Sequence, residues 1–161
     1  MKKIIYAQTG EVKSGKKDTI LRSSAIGSCL AIAAYDKNIQ VGALAHVMLP
    51  GKAPEHKKNQ KTRYAADALD ELIRKMDLLG SKEKNIEVCL AGGANVLKKK
   101  DDTINRININ SVEEVLKKRK IKVKARSLGG TERRSITLNV ETGCVRYTVG
   151  NGAEKLLWCF E

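Results

Sequence analysis

The chain has 161 residues, of which 42% are apolar and 30% charged. That is the size and balance of one folded domain, not of a disordered chain, and we expect a single domain over residues 1–161. A net charge of +13 points to an acidic partner and says nothing about fold. The longest apolar stretches, Cys29–Tyr35 and Val41–Leu49, fall far short of the roughly 20 residues a membrane-crossing helix needs. The apolar run Ile4–Ala7 behind Met-Lys-Lys is too short for a signal-peptide core, so the expected location is the cytoplasm, without membrane insertion.

Ile4–Gln8 and Thr19–Ser24 read as short strands. The turn Gly27-Ser28-Cys29 leads into an apolar strand, Leu30–Tyr35, and Asp36-Lys37-Asn38 turns it into a second, Gln40–Leu49. Pro50 to Thr62 reads as a polar, lysine-rich loop. Ala65, Ala66, Leu69, Leu72, Ile73 and Met76 have helical spacing, which predicts a helix over about Arg63–Leu79 with Gly80 just beyond its end. Ile86–Ala91 is a buried strand closed by Gly92-Gly93. A second helix is expected from about Asn110, where Ser111 and Glu114 have capping-box spacing ahead of Val112, Val115 and Leu116. Lys120–Ser127 alternates, which would place Lys120, Lys122, Lys124 and Arg126 on one solvated face. Ser135–Val140 and Cys144–Val149 form a further hairpin around Glu141-Thr142-Gly143. The sum is an α+β layered sandwich, a mixed and mostly antiparallel sheet with two main helices over one face.

Four cysteines, Cys29, Cys89, Cys144 and Cys159, contain no CxxC pair, and His46 and His56 are the two histidines. This excludes a zinc site of ordinary spacing, so no metal and no cofactor are expected. A reducing cytosol argues against disulfides, leaving each thiol as a small buried hydrophobe or a nucleophile. Cys89 and Cys144 lie in apolar strands, Cys159 packs beside Trp158, and His56 sits among lysines in a solvated loop.

Cys29 differs, because a glycine-containing turn at the mouth of a strand exposes its thiol and frees backbone N–H groups. His46 lies inside an apolar strand where packing does not call for a histidine. If the two strands are antiparallel neighbours, thiol and imidazole come within reach. An adjacent imidazolium lowers a thiol pKa from about 8.5 to roughly 3.5–7.5, producing the nucleophilic thiolate. Leu90–Asn95 is glycine-rich but matches neither phosphate-binding pattern. A nucleic-acid-binding module is the alternative suggested by the charge, Lys98-Lys99-Lys100 and Lys117–Lys120, but aromatics are only 4%, too few for stacking platforms.

Three segments in order, Gly27-Ser28-Cys29, Ala45-His46-Val47-Met48-Leu49-Pro50 and Ala91-Gly92-Gly93-Ala94, resemble the signature of the chemoreceptor glutamine deamidase family, CheD. Arg63–Ala68, Asn108 to Val115, Gly129-Gly130, Arg133 to Ser135 and Glu141-Thr142-Gly143 add to the resemblance. It implies a sandwich resembling the catalytic domain of a deamidating toxin, and a cysteine hydrolase with Cys29 as nucleophile and His46 as base. The family's third member is usually a threonine, and Ser23 occupies that place here. Ser28, Gly27, Gly92 and Gly93 would line the site or supply oxyanion donors. The implied substrates are glutamines on methyl-accepting chemotaxis receptors, deamidated through a thioester. The implied partner is a CheC phosphatase, for which a catalytically silent chain would be an adaptor.

Overall fold

The computed structural model describes residues 2–101 and 103–161. Among the described residues ten strands form two five-stranded sheets, not the single sheet that the sequence pattern predicts. The outer sheet holds β1 (Lys3–Tyr6), β3 (Thr19–Ile26), β8 (Arg134–Asn139), β9 (Cys144–Val149) and β10 (Lys155–Cys159), in the order β1-β3-β8-β9-β10. The central sheet holds β2 (Val12–Gly15), β4 (Leu30–Asp36), β5 (Val41–Val47), β6 (Glu87–Gly92) and β7 (Lys122–Leu128), in the order β2-β5-β4-β6-β7. Pairing is antiparallel except for β1 with β3 and β6 with β7. Helices α1 (Ala65–Leu78) and α2 (Thr103–Lys118) complete the layers.

The central sheet is buried on both faces, which is why β4 and β5 read as unbroken apolar runs. Alternate residues of β4 serve two cores. Leu30, Ile32 and Ala34 pack with Leu69, Leu72 and Met76 of α1 and Val112 and Leu116 of α2. Ala31, Ala33 and Tyr35 pack with Leu21, Ile136, Leu138 and Val145 of the outer sheet. The α+β class, the two helices over one face and the β4–β5 hairpin stand as expected.

Four local expectations are corrected. Part of the loop after Pro50 is a 3-10 segment, Glu55–Arg63. Helix α2 starts at Thr103, two turns earlier than the capping-box spacing indicated, and Ser111 lies inside it, its hydroxyl accepting a hydrogen bond from the Gly51 N–H at 2.7 Å. The basic strand does not present one face. A bulge between Val88 and Cys89 shifts the β6–β7 register, so Val123 joins the helix-side core and Ala125 the core between sheets. Arg126 then binds Glu113 of α2 through two bonds of 2.6 and 2.9 Å, while Lys124 lies over the ring of Trp158 on β10.

The fourth correction concerns the cysteines. Cys144 and Cys159 stand directly opposite each other in the β9–β10 ladder and form a disulfide, so neither is a free thiol. β10 gave no strand signal in the sequence, so the pairing could not be anticipated. Cys29 and Cys89 are free. Thiol counting by alkylation and mass spectrometry on denatured, unreduced protein should therefore give two labels, on Cys29 and Cys89, and four after reduction. Closing a loop of 15 residues contributes about 3 kcal/mol by chain entropy, so reduction should lower the urea midpoint measurably.

Candidate active site

Cys29 ends the turn that enters β4, and it is half-buried. His46 on β5 is directly opposite Ala31, on the face turned towards the outer sheet. Cys29 is two residues before Ala31 and packs against the same core, so thiol and imidazole are diagonal neighbours on one face. Diagonal pairs have Cα atoms about 7–8 Å apart, within reach of long side chains. The antiparallel geometry assumed from the sequence is thus the geometry found.

Ser23 reaches the same place from the other sheet. A register shift between Ser23 and Ile26, with Ala25 at φ 55°, lets both residues point inwards although they are three apart. The Ser23 hydroxyl lies 2.9 Å from His46 Nδ1 and donates to the Ala7 carbonyl at 2.8 Å. A serine has one proton to give. With that proton on Ala7, the Nδ1 contact must be Nδ1–H donating to Ser23 Oγ. The tautomer follows: Nε2 is left with its lone pair. Nε2 is buried and has no hydrogen-bond partner among the described residues.

Burial disfavours the charged form of both titrating groups. Burial pushes the Cys29 thiol up, opposed by its own backbone N–H. Burial pushes the His46 imidazole down, opposed by the Ala7 backbone. Burial thus works against the thiolate–imidazolium pair that a neighbouring imidazolium would favour. A thiol beside an imidazole lone pair can instead pass its proton as it attacks.

A cavity of about 330 Å³ opens at Cys29, walled by Gly27, Ser28, Asn105, Leu97, Lys99 and Arg133 among others. His46 is not in its wall, so an entering group meets the thiol first. The N–H groups of Ser28 and Cys29 have no backbone acceptor among the described residues, which makes them candidate donors to an oxyanion. Gly92 and Gly93 stand behind the turn instead. The Gly93 N–H donates to Cys29 O at 2.8 Å and the Ala94 N–H to Gly27 O at 2.9 Å. Gly92 has φ 123°, and a Cβ there would clash with Cys29 O, so only glycine lets β6 approach the Cys29 backbone this closely.

Cys89 is fully buried in β6, its thiol pushed up to about 12, and His56 is exposed in the 3-10 segment. Neither belongs to the site. Among the described residues no cluster of three or more His, Cys, Asp or Glu side chains could hold a metal. Sequence reasoning missed Asn105 and Asn108 of α2, whose amides reach into the back of the site. The signal was present. Asn105, Asn108, Val112 and Leu116 form one helical stripe that is polar at one end, masked by the late helix start.

A family model described as CheD chemotactic sensory transduction matches residues 48–148, beginning two residues after His46. Named relatives align across nearly the whole chain. A probable chemoreceptor glutamine deamidase CheD of Chlorobium luteolum is 42% identical over 154 residues, covering 96% of this chain and 77% of the relative. The chemoreceptor glutamine deamidase CheD of Thermotoga maritima is 34% identical over 156 residues, covering 97% of each. A probable chemoreceptor glutamine deamidase CheD of Methanococcus maripaludis is 33% identical over 150 residues, covering 92% of this chain and 96% of the relative. With the family model and these relatives agreeing over most of its length, the chain belongs to the CheD family.

Proposed function

We propose that this protein hydrolyses the side-chain amide of glutamines on chemotaxis receptors, giving glutamate and ammonia. The observation that carries the reading is Nε2 of His46, without a partner among the described residues, on a ring held by Ser23 on the face it shares with Cys29. In this reading a glutamine side chain enters the cavity and its amide carbon meets Cys29 Sγ. Nε2 takes the thiol proton as the C–S bond forms, and the oxyanion lies against the N–H groups of Ser28 and Cys29. His46 returns the proton to the nitrogen, the C–N bond breaks and ammonia leaves. Water, deprotonated by Nε2, then attacks the thioester; the proton passes to sulfur as the C–S bond breaks.

The protein works in the cytoplasm in this reading, where the receptors' signalling segments lie; among the described residues no helix is long and apolar enough to cross a membrane. Family membership adds a CheC-type phosphatase as a second partner. The net charge of +13 suits an acidic receptor surface.

Incubation with purified receptor, followed by mass spectrometry, should find glutamines converted to glutamate. Cys29→Ala and His46→Ala should each abolish the conversion while circular dichroism shows an intact fold. More than a few per cent of the wild-type rate in Cys29→Ala would exclude the thioester route.

Ser23→Ala should reduce the rate by less than the about 10²–10⁴-fold a general base supplies, because it removes the group that orients the base and not the base itself. Ser23→Thr should retain activity, since it keeps the hydroxyl. A Ser23→Ala rate equal to wild type would show that the Nδ1 contact has no part in turnover.

The pH dependence follows from burial. Protonated Nε2 cannot act as base, and burial disfavours that charged form. The acid limb of kcat/KM should therefore lie below the ordinary histidine value of about 6.5, with activity flat from there up to pH 7.5. A limb centred above pH 7 would mean that an imidazolium is stabilised at rest.

A further inference from the structure

A buried helix stripe is ordinarily apolar, because an unpaired amide in a dry interior is costly. Helix α2 departs from this at two positions, both over the site. Asn108 is fully buried, in line with Val112 and Leu116. Its Nδ2 donates to Ser28 O at 3.0 Å and to Met48 O at 3.2 Å. Both partners are carbonyls, so the amide orientation is determined: a flipped side chain would set three oxygens against one another. One turn earlier, Asn105 Nδ2 donates to Gly93 O at 3.0 Å.

These three carbonyls are not arbitrary. Ser28 immediately precedes the nucleophile, Met48 is two residues beyond the base, and Gly93 donates its own N–H to Cys29 O. Ser28 and Met48 lie just outside the regular ladder of β4 with β5, which pairs Leu30 with Val47 as its last step towards the site. Where the backbone ladder stops holding the two chains together, one side chain from the helix layer takes over.

We infer that Asn108 is a positioning residue for the hydrolysis, a clamp that sets the spacing of Cys29 and His46 by tying the two strand ends together, with Asn105 securing the glycine turn behind them. Its Oδ1 is buried without a partner among the described residues. The cost of that orphaned oxygen is borne for the two bonds from Nδ2, which an aliphatic side chain could not make to the strand ends. The inference rests on the deamidase reading, in which Cys29 and His46 must exchange a proton. A shift of about 1 Å between reacting groups can cost on the order of 10²-fold in rate.

The test compares Asn108→Ala with Val112→Ala, which trims the next buried residue along the same stripe but removes no hydrogen bond to either strand end. Steady-state deamidation of purified receptor and the pH profile of Cys29 alkylation by iodoacetamide are measured on both, alongside urea unfolding. Asn108→Ala should lower kcat by about 10- to 100-fold with KM changed by less than about threefold, and should move alkylation of Cys29 to higher pH, as the thiol loses its base. Val112→Ala should lose stability and keep kcat within about twofold of wild type. Where alanine at 108 prevents folding, Asn108→Ser, which keeps one donor, enters the same comparison and should show a smaller loss of the same kind. Wild-type kcat in the Asn108 variant, or an equal loss of kcat in Val112→Ala, overturns the clamp. A wild-type protein that leaves receptor glutamines unchanged overturns the deamidase reading instead, and the two failures cannot be confused.

Discussion

A polar ring placed in a dry layer must account for both of its nitrogens, and His46 accounts for only one. Sheet packing on both faces of β5 excludes water, so Nδ1 needs a protein partner, and Ser23 is delivered from the opposing sheet by a bulge in β3. The Ser23 proton is spent on Ala7, at the end of β1, so that carbonyl decides which nitrogen of the imidazole carries hydrogen. The choice of tautomer thus passes from β1 through β3 to β5 by two hydrogen bonds. An unpaired lone pair on Nε2 is a standing cost to stability in a buried site. It is also what a base for Cys29 requires.

The turn carrying Cys29 has little regular structure of its own and is made rigid by what surrounds it. Arg134 has its guanidinium buried and bonded to oxygens of Ser127, Gly129 and Glu132. Gly129 in turn donates to Gly92 O at 3.0 Å, and Gly93 and Ala94 donate to Cys29 O and Gly27 O. On the other side α2 supplies Asn105 and Asn108. Strand ends, a glycine turn and a helix thereby converge on three residues, Gly27 to Cys29.

Charge is organised differently. Several cations are held in pairs, Arg126 with Glu113, Arg119 with Glu83 and Asp70, and Arg74 with Glu71. Lys98, Lys99 and Lys100 are exposed beside the cavity, with Lys99 in its wall. The excess that faces an incoming substrate therefore comes more from this loop than from β7, where Arg126 and Lys124 are engaged with Glu113 and Trp158.

Patterns of apolar residues were enough to read the β4–β5 hairpin, α1, β6 and the β8–β9 hairpin from the sequence, because each is a local period of two or 3.6 residues. Residue type and turn chemistry likewise singled out Cys29 and His46, a thiol after a glycine turn and a histidine in an otherwise apolar strand. What local pattern does not contain is partnership between distant segments. Short β2 and β10 carry too few residues to show a period, and without β10 the disulfide of Cys144 with Cys159 had no visible partner strand. Asn105 and Asn108 look like helix-breaking polar residues until the carbonyls of Ser28, Met48 and Gly93 are brought beneath them. The chemistry that this protein can perform was determined by its residue types. The tautomer of its imidazole and the bonds from Asn108 to the turn before Cys29 were decided only in three dimensions, where hydrogen-bond donors and acceptors far apart in the chain are counted against one another.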